Sequence, residues 1–363
     1  MTSLSIRFRS LLALLALVTL AACGSTTAST ATTAPAATEA SAATIPPAGS
    51  EVPAQTEVPA ATEAPTAEAP TAEATTETSA SGTRSIETRY GTVEVPATPA
   101  RLVTLDEGAL DTAVALGIIP VGGISSRLSE GVAPYIADKV PGIAIVGNPG
   151  EINFEAVIAA TPDLILTHNR IDEETYKKLS AIAPTIVPTN GIGAWKDAAG
   201  EYAAALGKTS ELEAWLKEFD AKVADAKTKL AIKEGTTGAV IRWMPQGPLV
   251  MGRLLPAVVL IEELGLDLPQ VAIDLGTDAP HTDVLSLEQL ATVDTDWLFV
   301  ATFNAEGDGA LASAREQAAF GQLKAEKSKQ VVAVSAQLWS SAFGPLAADA
   351  ILSDIVAGVP AAQ

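Results

Sequence analysis

Thiols, histidines, aromatic rings and positive charge are all scarce in this sequence, and each scarcity removes a class of function. A single cysteine, Cys23, stands among 363 residues, which excludes a disulfide framework and a thiolate metal site in the body of the chain. The two histidines, His168 and His281, are isolated from each other and lack the spacing of a ligand set for a bare metal ion. Lysine and arginine number 23 against 43 acidic residues, a formal net charge of -20, so the basic face that nucleic acid requires is missing. A local arginine cluster on such a surface still suits an anionic ligand. A G-x-S-x-G elbow, a phosphate-binding glycine loop and a Cys–His pair are absent too. An enzyme would be left with loop carboxylates such as Asp106, Glu107 and Asp278, and turnover is not expected.

The N-terminus is unlike the rest. Arg7 and Arg9 precede an apolar run, Leu11 to Leu20, and Leu20-Ala21-Ala22-Cys23 closes it with small residues. The run is only about half of the roughly 20 apolar residues that a membrane-spanning helix needs. Residues Ser25 to Ser81 are almost entirely Ala, Thr, Pro, Glu and Ser, too poor in large apolar side chains to offset chain entropy by burial. A flexible coil of that length spans on the order of 40 Å. The sequence therefore divides into a signal peptide (1–22), a tether (23–83), an N-terminal lobe (84–208), a connecting helix (209–235) and a C-terminal lobe (236–363).

The division into lobes rests on an internal repeat. Asn153 to Thr167 and Ser286 to Val300 share a capping Asn or Ser, a Glu two residues on, and an Asp eight residues after that Glu. Glu155 matches Glu288 and Asp163 matches Asp296. Each copy reads as a short capped helix that turns into a buried strand, a βαβ component. Around the first copy, strands are expected at Arg101–Leu105, Ile118–Gly123, Ile143–Val146 and Pro184–Pro188, with helices between them. Around the second, Gly238–Trp243 and Gln330–Val334 read as strands, Pro245 to Pro248 as a loop, and Trp339 as a loop residue before a final helix, Pro345–Val356. Between them, Ser210 to Lys233 carries Leu212, Trp215, Leu216, Phe219, Val223, Ala226 and Leu230 at helical spacing, opened by a capping box of Ser210 and Glu213. The fold class is thus α/β, two Rossmann-like lobes with mostly parallel sheets joined by one long helix. Ligands of such sheets bind beyond the carboxyl ends of the strands, which places Arg127, His168, Arg170 and the loop before Trp195 on one rim.

These residues together resemble the substrate-binding lipoproteins of bacterial ABC importers for iron–siderophore complexes, a family that also includes cobalamin and haem binders. The similarity runs from about Arg84 to Ala357. It is carried by Pro-Ala-Arg-Leu-Val-Thr-Leu, the Asn-x-Glu helix leading into Pro-Asp-Leu-Ile, Leu179 to Thr185, the Trp195 helix ending in Leu-Gly, Leu260 to Gly265, Ser286 to Leu290 and the segment Trp339 to Ile355. The N-terminal segment resembles a lipoprotein signal, which implies lipidation of Cys23 and an extracytoplasmic protein held to the cell membrane. The resemblance implies a monomer that captures a ferric siderophore between its lobes and has no cofactor of its own. It also implies delivery to a permease dimer with its ATPase, through Glu155 and Glu288 paired with permease arginines. Exposed carboxylates far apart on a rigid body can set its register on a two-fold partner.

A bulky anionic chelate calls for guanidinium forks and flat aromatic surfaces rather than metal ligands. Arg242 and Trp243, at the end of the second lobe's first strand, are the leading candidates, followed by Trp195, Arg127, Arg170, Trp339, His168 and His281. The two histidines keep open haem, a corrinoid or another metal chelate as the ligand.

Overall fold

The computed structural model describes residues 82–191 and 193–360. The signal segment, Cys23 and the tether lie outside the described residues, except for its last two positions. Among the described residues no helix is long and apolar enough to cross a membrane.

The N-terminal lobe is built on a five-stranded sheet, all parallel, in the order Ala144–Ile145, Gly122–Gly123, Leu102–Leu105, Leu164–Thr167, Thr185–Ile186. Its two central strands, LVTL and LILT, are buried at every position, as expected of a parallel sheet covered on both faces. The C-terminal lobe has four strands in the order Gly247–Val250, Gly238–Met244, Trp297–Thr302, Val331–Ser335, of which the last three run parallel. Gly247–Val250 is an antiparallel edge strand where the sequence reads as a loop. Two prolines and a glycine masked it, but Pro248 sits on the edge, where a missing N–H costs no ladder bond.

The repeated aspartates have the same task in both lobes. Asp163 accepts the backbone N–H groups of Ala100 and Arg101 at 2.7 and 2.9 Å, and Asp296 accepts the backbone N–H and the hydroxyl O–H of Thr237, both at 2.9 Å. Each carboxylate thus ties the start of its own strand to the start of the neighbouring one.

The connecting helix runs Thr209–Leu230, 22 residues or about 33 Å. The capping box does not form: Lys208 is the N-cap and no side chain caps the helix, because Ser210 already lies inside the first turn. Leu212 packs in the core of the first lobe, whereas Phe219, Ala226 and Leu230 pack in that of the second.

A second connection is buried. Asp111, fully buried on the first helix of the N-terminal lobe (Glu107–Ala115), accepts the N–H groups of Leu346 and Ala347 at 2.7 and 2.8 Å, at the start of the final helix, Pro345–Gly358. Tyr135 Oη donates to the same carboxyl at 2.8 Å. Gly344 permits this approach: it has φ +143°, and a Cβ there would stand 2.6 Å from Asp111 Oδ1.

An N-terminal hairpin, Thr83–Thr88 paired with Gly91–Pro96, was not legible in the sequence. Its turn braces the rim of the first lobe: Arg89 N–H donates to Val187 O at 3.0 Å, Tyr90 Oη to Ile171 O at 2.8 Å, and the Arg89 guanidinium to Asn169 O.

Candidate functional site

The strands of both sheets end at a shared cleft. Leu105 leads into Asp106 and Glu107, and Thr167 into His168, Asn169 and Arg170. From the other lobe come Arg242 on its strand and Ser340, Ser341 and Phe343 before the final helix. One cavity is lined by Asp106, Glu107, Arg127, His168, Arg170, Arg242, His281 and Ser341, among others. Five of the eight ligand candidates named from the sequence are therefore brought together: Arg127, Arg170, Arg242, His168 and His281. Trp195, half-buried, lines an adjoining cavity with Asp106, His168, Tyr202 and Phe343, and its ring meets Phe219 edge-on at 6.4 Å.

Trp243 and Trp339 are corrections. Trp243 is 3% exposed and packs edge-to-face with Phe320, and Trp339 is 1% exposed, stacked on Phe299 at 4.9 Å with its indole N–H donated to Asp354. Both fill the core of the C-terminal lobe. Along a strand successive side chains alternate faces, so the same residue pair that sends Arg242 to the cleft sends Trp243 inward. Trp339 ends a short helix, Ala336–Trp339, rather than lying in a loop.

The arginines are held in place without being neutralised. Arg242 Nε donates to Ser340 Oγ at 3.0 Å, its Nη2 donates to Ser340 O, and its guanidinium lies 5.6 Å from the Phe303 ring centre. Burial, together with the nearby Arg127, pushes Arg242 down to about 10, which leaves it cationic at neutral pH. Arg127 and Arg170 are exposed on the rim. Among the described residues none of the three forms an ion pair with a carboxylate.

Both histidines use Nδ1 on their own loops, in opposite senses. His168 Nδ1 accepts the Arg170 N–H at 3.0 Å, so the neutral ring carries its proton on Nε2. Burial pushes its pKa below the ordinary value, with Asp106 opposing and Arg170 reinforcing. His281 Nδ1 lies 2.7 Å from the Thr282 carbonyl and donates to it, which leaves a lone pair on Nε2.

The carboxylates at the head of the first helix have different partners. Asp106 Oδ1 caps the helix by accepting Ala109 N–H at 3.0 Å. Glu107 Oε1 is buried and has no hydrogen-bond partner. Burial pushes its pKa up to about 7, with the Ser126 hydroxyl and Arg127 opposing and Asp106 reinforcing. Sequence reasoning placed these two only as candidate acid–base groups. Their position directly after the first strand, at the ligand-binding end of a parallel sheet, was the signal that they line the cleft.

The repeat glutamates lie outside the cleft. Glu155 and Glu288 are exposed, each in the first turn of a short helix capped by Asn153 or Ser286. Glu288 is held below the usual carboxylate range by its own backbone N–H and the Ser286 hydroxyl.

Residues 102–338 match the model of a family described as periplasmic binding protein. The chain belongs to that family. This periplasmic binding protein is 31% identical over 286 residues, 76% of its length and 88% of the relative's, to the probable siderophore-binding lipoprotein YfiY of Bacillus subtilis. It is 25% identical over 275 residues, covering 75% of its length and 89% of the relative's, to the Fe(3+) dicitrate-binding periplasmic protein FecB of Escherichia coli. Among solved structures, Staphylococcus aureus SirA complexed with staphyloferrin B superposes with a TM-score of 0.67 at 26% identity, over 76% of this chain and 98% of that one. The family and these relatives are substrate-binding transport proteins, and the two-lobed α/β architecture is common to them.

Proposed function

We propose that this protein is the substrate-binding component of an ABC importer, which captures a ferric siderophore in the interlobe cleft and delivers it to a membrane permease. The observation that carries the reading is the convergence of Arg127, Arg170 and Arg242 on one cavity with no carboxylate among the described residues in an ion pair with them. Unpaired guanidinium groups suit carboxylate or catecholate oxygens of a chelate, since charge-assisted bonds are the strong ones. Trp195 offers the aromatic surface beside them. The protein binds its cargo without turning it over, and it carries no cofactor.

Around that core, Glu155 and Glu288 engage the permease dimer, whose ATPase drives transport. Cys23 carries the lipid that anchors the monomer to the outer side of the cell membrane, with residues 23–83 as the tether. Residues 84–208, 209–235 and 236–363 act as lobe, connector and lobe, and the single stiff connector allows only a small closure on binding.

Haem, a corrinoid or another chelate is the second reading. It is favoured by His281, whose Nε2 lone pair is available as an axial ligand. Fluorescence titration of residues 82–363 with ferric hydroxamate, catecholate and citrate-type chelates, haem and cobalamin decides between the two. Saturable quenching by one ferric chelate class and not by its iron-free form is expected. Response to haem or cobalamin alone would replace the cargo, and response to none would overturn the binding role.

A further inference from the structure

Buried polar atoms in folded proteins are almost always partnered, so an accumulation of unpartnered ones at one place calls for a partner, which in a binding cleft the ligand or an ordered water supplies. Five buried side-chain polar atoms lack a partner within hydrogen-bond distance among the described residues, and three of them, on Glu107, Thr112 and Ser341, belong to residues that line the two adjoining cavities of the cleft. Glu107 and Ser341 face the same cavity as the three arginines.

Their chemistry is not equivalent. A hydroxyl can turn to donate or to accept, whereas an ionised carboxylate only accepts. Glu107 therefore dictates what stands opposite it. Asp106 spends Oδ1 on capping its helix and Glu107 Oε1 has no partner within hydrogen-bond distance, so among the described residues the head of the first helix brings two carboxylates, each with an oxygen to spare, to the cavity that the three arginines line. A chelate built only of carboxylates would bring like charge against the Glu107 oxygen or make Glu107, held at about 7, take up a proton, the opposite of what a cationic donor would do. A neutral donor offsets part of the cost of burying an anion, and a cationic donor offsets more because both partners are then charged.

We propose that Glu107 is a specificity-determining residue of the cleft that accepts a hydrogen bond from a protonated amine of the cargo. The selected ferric chelate then carries an ammonium arm beside the carboxylates that the arginines hold. This rests on the reading of the cleft as a ferric-chelate site and goes beyond it by defining the chelate's charge pattern.

Two probes test it: the ferric complexes of a citrate monoamide of ethylenediamine, one with its terminal amine free and one with that amine acetylated. The two differ in a single charge at the end of the arm. The wild-type protein is expected to bind the free-amine complex about tenfold or more tightly than the acetylated one, the range of a charge-assisted bond. In Glu107→Gln the ratio should fall towards one.

Proton linkage gives a second readout that a structural role would not move. With a carboxyl pushed up to about 7, binding the ammonium at pH 7 should expel about half a proton, seen by calorimetry in buffers of different ionisation enthalpy. The release should vanish in Glu107→Gln. Asp106, Arg127, His168, Arg170, Arg242 and His281 also face this cavity, so the acetylated probe serves as the reference for proton transfer at those groups. Equal affinity of wild type for both probes, or a ratio unchanged by Glu107→Gln, overturns the inference. Binding of hydroxamate chelates but of neither probe overturns it as well, while leaving the binding role intact. Failure of every ferric chelate would instead overturn the function on which it rests.

Discussion

The two copies of the repeat share a register and differ in construction. In the first lobe Asn153 caps a helix of 6 residues and Asp163 accepts two backbone N–H groups at an exposed strand start. In the second, Ser286 and Gln289 form a reciprocal capping box on a helix of only 4 residues, and Asp296 is further joined by Lys324 at 2.5 Å. The shorter helix has fewer internal hydrogen bonds and relies more on its cap. What the copies hold constant is the exposed glutamate in the first turn and the aspartate that ties two strand starts together.

The largest expected effect breaks the comparison at those glutamates. Replacing Glu155 and Glu288 together by Ala should abolish uptake of the cargo while purified protein binds it as before. Lost affinity in the double mutant would place the carboxylates in the cleft instead. Next comes Arg242→Ala, which removes a desolvated guanidinium and should weaken cargo binding roughly 10- to 100-fold. Arg127→Ala and Arg170→Ala, on the exposed rim, should each cost less, and equal losses at all three positions would erase the distinction between the buried and rim arginines.

The aspartates sharpen the comparison in stability. Urea unfolding should show Asp296→Ala costing roughly 2 kcal/mol and Asp163→Ala roughly 1 kcal/mol. Burial pulls the Asp296 carboxyl up, but hydrogen bonds from Lys324 and Thr237 outweigh it and hold it below the ordinary range. Its contribution is therefore present above the ordinary aspartate range and is lost as pH falls through the lowered pKa. Asp111 has the opposite sign. Burial, opposed by Tyr135 and the two backbone N–H groups, pushes it from 3.8 to about 7. Between those values the folded state holds a proton that the unfolded state has released, so this contribution to stability falls as pH rises. Asp111→Asn should flatten that part of the pH profile, and an unchanged profile would deny the shift. The smallest effect separates the caps: Ser286→Ala should cost about 1 kcal/mol and Asn153→Ala somewhat less.

The lobes also differ in what was legible. The repeat, the parallel strands of both sheets and the connecting helix were readable because each follows a period of side-chain burial that packing then enforces. Of the cleft, the arginines and histidines were readable as polar residues just past strand ends. Trp243 and Trp339, unlike Trp195, were misread because chemistry suited to a ligand is equally suited to a core. The C-terminal lobe, with Trp243, Trp297, Phe299, Phe320 and Trp339 in its interior, concentrates its aromatic bulk there. The N-terminal hairpin escaped notice because half of its strand residues are exposed and few are fully buried, and its bracing of the His168 loop is tertiary. Glu107 looked like any carboxylate in an acidic chain until its burial was known.

The carboxylate of Asp111 also orders events in time. A polypeptide grows from its N-terminus, and the two backbone groups that satisfy Asp111 lie 235 and 236 residues further on. Until Leu346 and Ala347 exist, Asp111 has only the Tyr135 hydroxyl as a partner, so two of the three hydrogen bonds that satisfy it form only once the chain has reached its final helix. A product truncated before Phe343 would lack these two bonds together with the final helix, whose Ala347, Ala348, Ile351, Leu352 and Ile355 lie in the core of the second lobe, so the first lobe's buried acid and the second lobe's core are completed by the same segment.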